Sequence, residues 1–154
     1  MFLKVETVPF ISSPLFQETH NDGLINTDTP LHTTSRATMD SNGNLTTITS
    51  IANNAYAYIR LSKTGYKGAL TRDLVAGEEI TIKIKAKSSS TASYIRSSYL
   101  DFPKTYFTQT NTYQEFEFKT TVKSNVSNKA WLGLFMGDIS ETLTVESVKV
   151  IEGI

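Results

Sequence analysis

Cysteine is missing from all 154 residues. Its absence removes disulfide staples, thiolate catalysis and thiolate metal sites together. Histidine is almost as scarce, with only His20 and His32 to act as a base for a serine or threonine nucleophile. Both sit among threonine and asparagine in an irregular stretch, where a solvated imidazole is expected. Net charge is also lacking, since 15 basic residues cancel 15 acidic ones. No global field therefore draws the chain to nucleic acid or to an anionic membrane. No apolar run approaches the roughly 20 residues of a membrane-spanning helix, so membrane insertion is not expected. The opening Met1–Phe10 segment is broken by Lys4, Glu6 and Pro9, which predicts no secretory leader. No phosphate loop, nucleophile elbow or zinc-pair spacing occurs. A glycosidase needs two carboxylates across a cleft. Asp73, Glu78, Glu79, Asp101 and Asp138 fall instead at turns and strand ends, and no enzyme activity is expected.

What the chain has is alternation. In Glu79–Ala86, Ile80, Ile82 and Ile84 share one face while Thr81, Lys83 and Lys85 share the other. Period two with one apolar face marks a half-buried antiparallel strand. The Lys83, Lys85, Lys87 stripe reads as the solvated side of that strand. The same pattern recurs in Ala55–Leu61, Ala92–Tyr99, Tyr113–Thr120 and Leu143–Ile151. Ala130–Met136 is apolar on both faces, which predicts a central strand or one that covers a site. Ala37–Met39 and Leu45–Ile51 flank Asp40–Asn44, whose Asn42-Gly43 pair predicts a hairpin turn. A short helical turn is expected near Leu70–Leu74. About eight short strands with a turn every eight to twelve residues predict an all-β, antiparallel β-sandwich. Residues 1–35 differ: irregular apolar spacing, with Pro9, Pro14 and Pro30, predicts an extended N-terminal arm. The arm either covers a sheet edge or attaches to a neighbouring subunit. Residues 36–154 form the sandwich domain.

The order of these motifs resembles the jelly-roll carbohydrate-binding modules of the families-four-and-nine type, within the galactose-binding-like folds. Leu74–Lys87 resembles their glycine turn leading into an alternating strand. Tyr113–Thr120 resembles their aromatic-led strand, and Val145–Gly153 resembles their closing strand. The likeness covers about residues 36–154. It implies a jelly-roll sandwich that works without catalysis, either binding glycans or serving as structural decoration. Such modules also occur as appendages of bacteriophage tail and capsid proteins. The resemblance therefore implies a virion-associated accessory protein, assembled in the host cytoplasm. Its implied partners are other virion proteins through residues 1–35, a host-surface glycan, and further copies of the chain in a homo-oligomer. A purely structural cement or adaptor protein is the competing expectation, and a free bacterial lectin-like module a third. No cofactor or metal is called for. Where many members of the family offer an aspartate to a structural calcium, this chain has Glu146-Ser147.

Sugars are held by aromatic faces together with planar polar groups. If Ile59, Ile95, Phe116, Phe118, Leu132 and Leu134 point inward, alternation turns Tyr56, Tyr58, Arg60, Tyr94, Arg96, Glu117, Trp131 and Phe135 outward. The candidate ligand-binding residues are Tyr56, Tyr58, Arg60, Tyr94, Arg96 and Trp131. The same residue types dominate protein interfaces, so glycan contact, a subunit interface and packing under the arm all remain open. Arg60 and Arg96 each follow a tyrosine by two residues. On neighbouring strands they form a patch for an acidic sugar; the alternative is ordinary pairing with Glu115 or Glu117.

Overall fold

Two five-stranded antiparallel sheets pack face to face. A computed structural model describes residues 23–27, 30–42, 45–123 and 130–154. Its strands are β1 (His32–Thr33), β2 (Ala37–Asn42), β3 (Leu45–Ser50), β4 (Tyr56–Arg60), β5 (Glu79–Ser88), β6 (Tyr94–Arg96), β7 (Thr105–Tyr106), β8 (Gln114–Thr121), β9 (Trp131–Phe135) and β10 (Thr142–Glu152). One sheet runs β1-β4-β9-β6-β7 and the other β2-β3-β10-β5-β8. The fold is thus the all-β antiparallel sandwich that the alternation predicts.

Inward faces meet between the sheets. Ile80, Ile82 and Ile84 of β5 and Val148 and Val150 of β10 oppose Ile59, Ile95, Leu132 and Leu134, all essentially without solvent contact. Each such side chain contributes about 1.5–3 kcal/mol relative to exposure. Phe116 and Phe118 are partly buried against this core, as their alternation with Glu115 and Glu117 predicts. The outward face of β5 is wet, and its lysines find partners there. Lys83 meets Glu117 at 3.8 Å, Lys85 meets Glu146 at 3.0 Å, and Lys87 lies over the Tyr113 ring.

Several local expectations change. Residues 68–74 form no helical turn: Gly68 bridges Arg60 and Leu70 bridges Ile25, which draws the segment out as extended chain. The hairpin loop is shorter than expected, because β2 continues through Asp40–Asn42 and Asn42 pairs with Leu45. Residues 43 and 44 lie outside the described residues. The strand expected over Ala92–Tyr99 pairs only across Tyr94–Arg96. Within the expected arm, Leu24, Ile25 and Leu31 are buried in the core and β1 pairs with β4. Residues 1–22 lie outside the described residues, and so does most of the expected attachment segment. His32, expected to be solvated in an irregular stretch, instead sits half-buried on β1 opposite Tyr58.

Candidate functional site

Alternation on β4, β9 and β6 puts every second side chain outside the first sheet. Antiparallel register then lines these side chains up in rungs. On the first rung Tyr56 faces Phe135, which faces Tyr94, which faces Tyr106 of β7. The Tyr56 and Phe135 rings stack at 5.3 Å, Phe135 and Tyr94 stack at 5.0 Å, and Tyr94 meets Tyr106 at 5.2 Å. The middle rung runs His32, Tyr58, Gly133, Arg96. The last pairs Arg60 with Trp131.

Gly133 is the floor of this face. A Cβ placed there would lie 2.5 Å from the Phe135 ring and 3.1 Å from the Trp131 ring. Those two rings, at 5.8 Å and nearly perpendicular, close over the bare backbone. A groove of about 400 Å³ results, lined by Thr34, Tyr56, Tyr58, Arg60, Arg96, Trp131 and Phe135. Five of the six sequence-predicted residues line it, and the sixth, Tyr94, stacks on Phe135 beside it. Sequence reasoning named neither Thr34 nor Gly133, and it turned Phe135 outward without counting it among the ligand-binding candidates. Phe135 and Gly133 carried a readable signal, since Trp-x-Gly-x-Phe on one strand puts two rings and a gap on one face. Thr34 had none, because its place depends on how β1 docks.

Two further corrections concern charge. Arg60 and Arg96 are not on neighbouring strands, because β9 runs between β4 and β6 and places Trp131 between them. Glu117 points outward from the opposite sheet, where it meets Lys83 and Lys119, and Glu115 lies on the same strand. Neither is a partner for the groove arginines. Arg60 lies over the Tyr58 ring at 5.1 Å and Arg96 over the Trp131 ring at 5.6 Å. Cation–π contact of this kind holds a guanidinium over a ring. Burial holds the His32 imidazole below its ordinary 6.5, and Lys67 and Arg60 push it further the same way.

Backbone geometry around the groove is tied down from outside it. The Ser97 hydroxyl donates to the Trp131 carbonyl at 2.6 Å and accepts from the Tyr99 amide. The Thr33 hydroxyl donates to the Tyr56 carbonyl at 2.7 Å. Among the described residues no group of three His, Cys, Asp or Glu side chains is placed to hold a metal. Glu146 is the extra residue of a bulge between Val145 and Ser147 in β10, and its carboxylate is engaged by Lys85.

Solved structures of carbohydrate-binding modules share this two-sheet sandwich at the level of fold. The apo form of BiXyn10A CBM1 superposes with a TM-score of 0.53 at 12% identity, over 77% of this chain and 82% of that one. A point mutant of the family 29 module CBM29-2 gives 0.51 at 8% identity, over 85% and 87%. A CBM29-2 variant complexed with mannohexaose gives 0.50 at 8% identity, over 84% and 86%. No protein-family model and no curated relative matches the sequence.

Proposed function

We propose that this protein is a non-catalytic glycan-binding module whose ligand lies in the groove over Gly133. The observation that carries the reading is the groove itself. Trp131, Tyr56 and Tyr58 line it with aromatic rings on one side of one sheet, Phe135 is sandwiched between Tyr56 and Tyr94, and two guanidiniums stand at its edges. Pyranose rings offer apolar C–H faces to such surfaces and hydroxyls to the polar groups between them. The module fold, seen in a neighbour complexed with mannohexaose, supports the same assignment. The wider reading is a virion-associated accessory protein on a bacteriophage tail or capsid, assembled in the host cytoplasm and contacting host-surface glycans. It rests on the resemblance to modules appended to such particles. Shallow grooves bind weakly, and an array of copies on a particle multiplies effective affinity.

The test is glycan-array binding by wild type, Trp131→Ala and Tyr56→Ala, with circular dichroism to verify folding. Binding that either folded variant abolishes supports the groove. Binding that survives both sinks it. A protein that ignores every glycan but loses assembly with partner proteins on Trp131→Ala is instead a cement or adaptor, with this face as its subunit interface.

A further inference from the structure

The groove's hydrogen-bonding groups are strongly biased toward donors. None of its lining residues is acidic, and none is Asn or Gln. Arginine donates and never accepts, and the indole N–H of Trp131 does the same. Only the hydroxyls of Thr34, Tyr56 and Tyr58 have lone pairs to offer. Recognition of neutral sugar hydroxyls, each both donor and acceptor, calls for a mixture of the two kinds. A donor-rich site matches a group that only accepts, such as a carboxylate or a sulfate.

Arg96 is placed to meet such a group. It stands on the middle rung opposite Gly133 and lines the groove. Its guanidinium carbon lies 5.6 Å from the centre of the Trp131 ring. Among the described residues it makes no hydrogen bond or ion pair. Lys104 continues the positive edge, with its ammonium 4.5 Å from the Tyr94 ring and 5.7 Å from that of Tyr106. It too has no carboxylate partner among the described residues. The opposite sheet differs, since there Lys83, Lys85 and Lys119 meet Glu117 and Glu146. Among the described residues, the outward lysines of that sheet thus meet carboxylates, whereas Arg96 and Lys104 lie over aromatic rings.

We propose that the groove selects acidic glycans, with Arg96 gripping the oxyanion of a sugar that stacks on Trp131. The proposal rests on the glycan-binding reading above and adds the chemical class of the ligand. Arginine's planar fork suits a carboxylate better than a lysine ammonium does, so a uronate is the favoured form and a sulfated sugar the other source of the same chemistry.

Trp131 is the single tryptophan of the chain, so its fluorescence reports on this groove alone. The experiment titrates the full chain with polygalacturonate, with κ-carrageenan, with hydroxyethylcellulose and glucomannan as neutral glycans, and with oligo-dT. It uses wild type, Arg96→Gln and Arg96→Lys, each first verified as folded by its melting temperature. The expected result is a fluorescence change with polygalacturonate that weakens roughly tenfold in Arg96→Gln. Arg96→Lys should recover only part of it, and raising salt from about 50 to 500 mM should reduce it. A response to carrageenan in place of polygalacturonate assigns the oxyanion to sulfate and keeps the proposal. Neutral glycans binding as well as acidic ones, with Arg96→Gln unchanged, overturn the acidic-ligand proposal and leave the groove reading intact. Oligo-dT binding more tightly than any glycan overturns both. Silence with every glycan also overturns both.

Discussion

At the scale of the residue, Gly133 shapes the site by lacking a side chain. The methyl of Gly133→Ala would meet the Phe135 ring first, and a ring edge can swing aside where backbone cannot. The variant is therefore expected to fold, with Phe135 displaced from between Tyr56 and Tyr94 and the groove made shallower. Near-ultraviolet circular dichroism should change, the far-ultraviolet spectrum should not, and glycan affinity should fall roughly tenfold. A variant that binds like wild type refutes the floor role. His32 gives a second readout. In the free protein burial, Lys67 and Arg60 all disfavour its charged form, so its stabilising effect is present above the ordinary 6.5 and is lost as pH falls through its lower folded value. A polyuronate held at Arg96 carries further carboxylates along the groove that Arg60 also lines, and these offset that repulsion. The His32 ring resonances should then titrate below 6.5 in the free protein and move upward on adding polygalacturonate, while a neutral glycan leaves them in place.

At the scale of the element, most strands were legible because long half-buried strands announce themselves by period two. The isoleucine strand β5 and the closing strand β10 are found within a residue or two of the expected bounds. Strands β1 and β7, of two residues each, are too short to show a period and exist only because a neighbour pairs with them. The loop from Ser62 to Glu78 was misread as helical near Leu70 for a related reason, since its conformation is set by polar clamps across the loop, by bridges to Ile25 and Arg60 and by an ion pair to Glu152. Asp73 accepts from the Lys63 and Thr64 amides, and Arg72 donates to Glu78 and Glu152. The Arg72 guanidinium holds the Glu78 carboxyl below its ordinary value, and the Thr64 and Lys63 amides do the same for Asp73. Lowered folded values mean that this stabilisation is present above the ordinary carboxylate range and is lost as pH falls through the folded values. The melting temperature should therefore decline below about pH 4.5, and less steeply in Arg72→Gln. Identical acid profiles for the two proteins would remove the clamp from the account.

At the scale of the whole molecule, the N-terminal segment divides at about residue 23. Leu24 joins the core, its amide donates to the Val150 carbonyl at 2.6 Å, and its carbonyl accepts from Thr71. Ile25 and Leu31 are buried as well, and β1 forms one edge of the groove sheet. Truncation of residues 1–35 is expected to destabilise the domain severely, because three buried side chains at about 2–5 kcal/mol each leave with it. Truncation of residues 1–22 removes none of these. Thermal melts of the two truncations should differ widely, and light scattering on the shorter truncation then tests attachment and oligomerisation without confounding it with unfolding. Equal melting temperatures would mean that residues 23–35 contribute nothing to stability.

Alternation by itself determined the all-β class, the inward residues of β4, β5, β9 and β10, and the outward set of tyrosines, arginines and tryptophan. These follow from local geometry, since successive side chains on a strand must point opposite ways. Strand order is set by pairings between residues far apart in the chain, which no local pattern encodes. Only the tertiary structure put β9 between β4 and β6, aligned Tyr56, Phe135 and Tyr94 on one rung, and sent Glu115 and Glu117 to the far sheet. Those pairings turned outward-facing residues from three separate strands into one aromatic groove with arginines at its edge.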